Sequence, residues 1–178
     1  MHRVDLLSAL EVYSPVDRDE REMVGATSQF VKQQARCFER SLGIGHVTGS
    51  AWVVDLERNH TLLTHHRKLE RWFQPGGHAD GDADILRVAL KEAREETGLA
   101  DVRPVVETIF DVDVHSIPSN AREPCHLHYD IRFLLEADRS WPLVMSAESR
   151  DLAWVPFDRV PQYSNDASIL RMLKKALA

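Results

Sequence analysis

Apolar residues recur along the chain with two different periods, and the change falls near residue 45. Before it, Val4, Leu6, Leu7 and Leu10 fit a short amphipathic helix, which Ser14-Pro15 interrupts because proline disfavours helical geometry in the residue before it. A second helix is predicted from about Asp17, with Met23, Ala26, Phe30, Cys37, Phe38 and Leu42 keeping an approximately helical period and Gly43 offering a stop. From Gly49 onward the texture is β-like. Ala51-Trp52-Val53-Val54 and Thr61-Leu62-Leu63-Thr64 flank the polar turn at 55–59 and predict a hairpin. Residues 102–114 and 127–135 read as further strands, and the loop between them carries Pro118 and Pro124. Ser164 or Asp166 can cap a final helix that buries Ile169, Leu170, Leu173 and Leu177.

Between the hairpin and the later strands lies GGHADGDADILRVALKEAREETGL, residues 76–99, a glycine turn joined to a helix. Residues three and four apart on a helix are surface neighbours, so Glu92, Glu95 and Glu96 share about one quadrant, beside an apolar stripe of Ile85, Ala89 and Ala93. Each like-charge pair costs roughly 0.2–0.5 kcal/mol on an exposed helix. A divalent cation reverses that sign, and carboxylate oxygens are hard ligands suited to magnesium or manganese.

This segment resembles the Nudix box: a glycine, five residues, a glutamate, seven residues, then Arg-Glu-apolar-x-Glu-Glu-x-Gly-apolar. Gly77 fits the first glycine, and Glu92, Ala93, Glu95, Glu96, Gly98 and Leu99 fit the tail in register. Lys91 stands where the family has arginine, keeping the charge but not the planar fork. Ala83 stands where the family has its first glutamate, with Asp80, Asp82 and Asp84 as nearby carboxylates. Trp72-Phe73-Gln74-Pro75 and Trp154-Val155-Pro156 extend the resemblance.

The resemblance implies an α/β fold, an α/β/α sandwich with a mixed sheet, over residues 46–178, with residues 1–45 as an amino-terminal helical extension. It implies hydrolysis, dependent on Mg2+ or Mn2+, of a small-molecule diphosphate linked to another moiety, of the nucleoside diphosphate type, with water attacking phosphorus. Glu92, Glu95 and Glu96 would hold the metal and Lys91 would orient them, while Gly76 and Gly77 allow a tight turn and close backbone approach to the ligand. His78, immediately after Gly77, is placed to reach a phosphate. Two other readings stay open. Ala83 is compatible with a Nudix-like module that binds a nucleotide or regulates without turnover. A prenyl diphosphate isomerase would share the fold, although Cys125 does not sit in a segment matching its catalytic cysteine.

A second polar constellation follows from strict alternation in residues 125–133. His126, His128, Asp130 and Arg132 fall on one strand face, and Leu127, Tyr129, Ile131 and Phe133 on the other. With His115 and Glu123 on the preceding loop, the polar face suits a hydrated surface, a substrate contact through His126 and His128, or a transition-metal site.

Composition narrows the partners. A chain of 178 residues with 43% hydrophobic content is long enough for one well-buried core. A net charge of −6 argues against a nucleic acid polymer, whose binders usually display a basic stripe. Cys37 and Cys125 are too few for a disulfide framework, and no run approaches the ~20 apolar residues that span a membrane, so a cytoplasmic protein is expected. The amino-terminal helices could cover the sheet, line the pocket or form a homodimer interface.

Overall fold

Two helices open the chain in the computed structural model, which describes residues 2–67, 69–119, 124–147 and 149–178. Val4–Val12 (α1) buries Leu6 and Leu10. The chain then turns through Ser14-Pro15 into Arg18–Gln33 (α2), whose N-cap Asp17 accepts a hydrogen bond from the Glu20 amide. This helix stops ten residues short of the expected Gly43. The Cys37 carbonyl instead accepts the Val47 amide at 2.7 Å, a bond to the next strand that a continuing helix would have directed at Ser41. Cys37 and Phe38 are buried all the same, delivered to the core by turns.

The mixed sheet is built around Gly45–Asp55 (β1), which is buried along its whole length. His60–His66 (β2), Arg71–Phe73 (β3) and Gly76–His78 (β4) follow, then the helix Ile85–Thr97 (α3). Arg103–Pro104 (β5), Asp111–Ile117 (β6), His126–Ala137 (β7) and Ser149–Pro156 (β8) complete the strands, and Val160–Tyr163 (α4) and Ala167–Ala176 (α5) close the chain. Strand β7 runs parallel to β1 from Gly45 opposite Leu127 to Asp55 opposite Ala137. The other edge of β1 has two antiparallel neighbours: β4 against Thr48, Gly49 and Ser50, and β2 against Val54. The glycine strand is thus wedged directly against the sheet centre. The expected strand over 102–114 is two strands, β5 and β6, both paired with β7, and Trp154-Val155-Pro156 is the end of a full strand against β2.

Alternation along β1 and β7 sends side chains to opposite faces, and helices cover both. Val47, Ala51, Val53, Ile131 and Phe133 join Ile85, Val88, Ala89 and Ala93 of α3 and the apolar residues of α1 and α2 in one core. Trp52, Val54, Leu63 and Val155 meet Ile169, Met172 and Leu173 of α5 in a second. Asp84 caps α3 at its start, accepting the Arg87 amide, and Gly98 ends it in the left-handed region at φ 74, where a side chain is disfavoured. Asp166 caps α5. Leu177, expected on the buried side, lies just past the end of α5 and is exposed, whereas Arg171 takes a buried position. No helix among the described residues is long and apolar enough to cross a membrane.

Arg171 belongs to a run of buried charge. It donates to Asp111 through Nε and Nη2, both at 2.8 Å, and to Asp113 at 3.2 Å. Lys175 donates to Asp111 at 2.8 Å and to Glu20, which also accepts the Val112 amide of β6 at 3.2 Å. Arg132 ties Asp111, Asp113 and Asp130 together. Burial alone would raise the Asp113 pKa, but His115 and the guanidinium groups of Arg132 and Arg171 hold it well below the usual carboxylate range. Removing Arg171 takes one cation from a buried cluster in which Arg132 and Lys175 remain, and leaves Asp111 and Asp113 short of hydrogen-bond donors in the interior. Arg171→Ala is therefore expected to cost about 3–5 kcal/mol. A denaturant melt checks this, and a loss below about 1 kcal/mol, the range of a surface pair, would contradict it.

Candidate active site

The three box glutamates lie on one edge of α3, where Glu92 and Glu95 share a lysine and Glu96 bonds the backbone of β4. Glu96 accepts the Gly76 amide at 3.1 Å. Lys91 Nζ stands between the other two, 3.4 Å from Glu92 and 3.7 Å from Glu95. The Glu92 side chain is only 16% exposed, against 60% for Glu95. Space for Glu92 exists because Gly77 has no side chain: a Cβ there would overlap the Glu92 carboxylate. A Cβ at Gly76 would instead meet Ser50 on β1, so the two glycines face opposite sides of the sheet. Burial raises the Glu92 pKa, Lys91 opposes the shift, and Glu95 and Asp80 add to it. The Glu92 charge in turn raises the Lys91 pKa.

The aspartates around Ala83 have separate duties. Asp82 accepts two hydrogen bonds from Arg87, and Asp84 caps the helix. Asp80, held at φ 48, acts on both Glu92 and Lys91, and Asp82 also feels the Lys91 charge.

The opposite face of the same strands carries the second constellation. Parallel register puts His46 beside His128 and Thr48 beside Asp130. Thr48 and Ser50 donate to Asp130 Oδ1 at 2.8 and 2.7 Å, and Arg132 donates to Oδ2 at 2.7 Å. His78 is on β4 opposite Thr48, and its ring centroid is 5.0 Å from that of His46 and 5.1 Å from that of His128. His126 Nδ1 bonds the Pro124 carbonyl at 2.8 Å, while its Nε2 lies 3.3 Å from that of His128. His115 bonds Asp113 at 3.0 Å, and its ring is 5.4 Å from that of His128. Burial lowers the His46 pKa to about 4, with His78 and His126 adding to the shift, and His128 is driven lower still. Glu123, expected in this group, lies outside the described residues.

The sequence reading missed His46, Thr48 and Ser50, because Gly45 and Gly49 interrupt the apolar run and the strand was expected to begin at Ala51. Their period-two spacing was the available signal.

The NUDIX domain family model matches residues 46–175, well over half of the chain. The chain belongs to the Nudix family. Nudix proteins are pyrophosphohydrolases that act generally on nucleoside diphosphate-linked small molecules and generally use divalent metals. No curated protein matches this Nudix chain in sequence at a significant level. Its fold is similar to that of a C. elegans Ap4A hydrolase in a binary complex, at TM-score 0.54 and 15% identity over 72% of this chain and 93% of that one. It is also similar to the M. smegmatis Nudix hydrolase RenU (TM-score 0.53, 18% identity, 74% of this chain and 83% of that one). E. coli dihydroneopterin triphosphate pyrophosphohydrolase gives TM-score 0.54 at 11% identity, over 74% of this chain and 94% of that one.

Because the folded pKa of Glu92 lies above its unfolded value, its ionised form opposes folding at pH above that pKa, and the penalty fades as pH falls through it. Glu92→Gln should therefore raise Tm at pH 7.5, by about 2–4 °C for each kcal/mol of penalty removed. The gain should vanish in acid, below the carboxylate range. Thermal melts at both pH values check this, and a lower Tm for the variant at pH 7.5 would contradict it.

Proposed function

We propose that this Nudix protein hydrolyses a nucleoside diphosphate linked to another moiety, with Mg2+ or Mn2+ held by Glu92, Glu95 and Glu96. The observation that carries the reading is the half-buried Glu92 carboxylate seated over Gly77, with its pKa raised, beside Glu95 and Glu96 on one helix edge. A half-buried carboxylate beside further acidic groups is a site whose electrostatics improve when a cation arrives. All the donors are oxygens, as a hard divalent ion requires.

A bound cation supplies neutralisation of phosphate charge and lowers the pKa of bound water from 15.7 toward about 7 in favourable sites. The chain's own groups supply position. Gly76 and Gly77 leave room for Ser50 on one side of β4 and for the Glu92 carboxylate on the other, which seats that carboxylate against the strand. Lys91 spaces Glu92 and Glu95 and offsets their charge. One of the three glutamates orients the attacking water.

A second reading, binding without turnover, draws on Ala83: Asp82 and Asp84 beside it are both engaged at the start of α3, which leaves Asp80 as the nearest substitute for the absent glutamate.

A hydrolysis screen with Mg2+ and then Mn2+ over nucleoside triphosphates, dinucleoside polyphosphates, ADP-ribose and nucleotide sugars separates the two. Metal-dependent release of a phosphate-containing product is expected, lowered more than about 100-fold in Glu95→Gln. Lys91→Ala should lower kcat by about 10–100-fold and Lys91→Arg far less. Tight nucleotide binding with no turnover under either metal would favour the binding module.

A further inference from the structure

We propose that His46, His78 and His128 form a binding site for one divalent ion of the zinc class, with His126 as the nearest candidate for its fourth ligand. The site is separate in chemistry from the acidic edge of α3 and does not depend on the hydrolase reading. Each of the three rings offers one nitrogen, and these atoms lie within 4.8 Å of one another. Nitrogen ligands about 2.0–2.1 Å from a tetrahedral zinc ion sit roughly 3.4 Å apart, so the rings need to close by about an ångström or more.

The sheet imposes this arrangement. His46 and His128 are register partners in the parallel pair β1–β7, and His78 is brought to the same face by the antiparallel pairing of β4 with Thr48. The ligands therefore stand on three adjacent strands, where their backbone positions are fixed.

Independent support comes from His46 itself. It is 2% exposed, and neither ring nitrogen has a hydrogen-bond partner. The Leu42 backbone is close enough to favour the charged ring a little but does not complete a bond of ordinary geometry. A buried polar group without a partner calls for an explanation, and an ion accounts for this one. His126 adds to the case: its Nδ1 is tied to the Pro124 carbonyl, which fixes the tautomer with a lone pair on Nε2, 3.3 Å from His128 Nε2. At that distance the two nitrogens are hydrogen-bonded to each other, and a bound ion would take the place of the shared proton. Neutral imidazoles select zinc, cobalt or nickel, whereas magnesium prefers the oxygens of the glutamate edge. Bound there, the ion ties the glycine strand β4 to β1 and β7.

The test uses Co2+ as a probe on chelator-stripped full-length protein, with excess Mg2+ present to occupy oxygen sites. One Co2+ per chain is expected, with the intense visible absorption of tetrahedral cobalt and displacement by Zn2+. His78→Asn and His128→Asn should weaken binding more than about 100-fold, and Glu95→Gln should leave it unchanged. Zn2+ should raise the Tm of the wild type and not that of His78→Asn. In the wild type, where no variant needs to fold, Zn2+ should shift the imidazole 15N resonances of His46, His78 and His128. Binding that is absent, that gives a weak octahedral spectrum, that is lost in Glu95→Gln, or that leaves these resonances unmoved would overturn the proposal.

Discussion

A continuous run of buried charge holds this protein in register. It passes from Glu20 on α2 through Lys175 and Arg171 on α5 to Asp111 and Asp113 on β6, and through Arg132 to Asp130 on β7, whose carboxylate also accepts hydrogen bonds from Thr48 and Ser50 of β1. Buried ion pairs are weak sources of net stability, because desolvation offsets much of the attraction. Their effect here is on alternatives. A one-residue slip of β6 or β7 would turn Asp111, Asp113, Asp130 and Arg132 into the apolar core on the other face and strand Arg171 without a partner. The network also joins the amino-terminal helices to the sheet, since Glu20 takes both the Lys175 ammonium and the backbone amide of Val112 on β6.

With that register fixed, three strands present two chemistries back to back. On one side, α3 closes on β1 and β4 so that Glu92 fills the space left by Gly77, an oxygen-rich edge. On the other, the same strands bring His46, His78 and His128 together, a nitrogen-rich face. The pair Gly76-Gly77 sits at the junction: one glycine leaves room for a carboxylate and the other for Ser50. Hard and borderline cations would be sorted by face without any loop having to move.

Much of this could be read from the sequence, for identifiable reasons. The box was visible because helix spacing alone groups Glu92, Glu95 and Glu96, and the histidine face of β7 because strict alternation survives in residues 126–133. What escaped depends on contacts between distant segments. Glu20, Arg171 and Lys175 look like ordinary charges on amphipathic helices, and their burial follows only from where α2 and α5 dock. His46 was hidden by its flanking glycines, and the early end of α2 by the backbone bond between Cys37 and Val47. Local period predicts which face a residue takes; it does not say which other segment meets that face.

The proposed catalytic use of the α3 edge is tested most directly by diffraction at the manganese absorption edge from crystals grown with Mn2+ and a non-hydrolysable nucleoside diphosphate analogue. An anomalous peak is predicted beside Gly76-Gly77, within coordination distance of carboxylate oxygens of Glu92, Glu95 or Glu96 and of the analogue's phosphates. A bound analogue with no manganese at this edge would contradict the assignment of these glutamates.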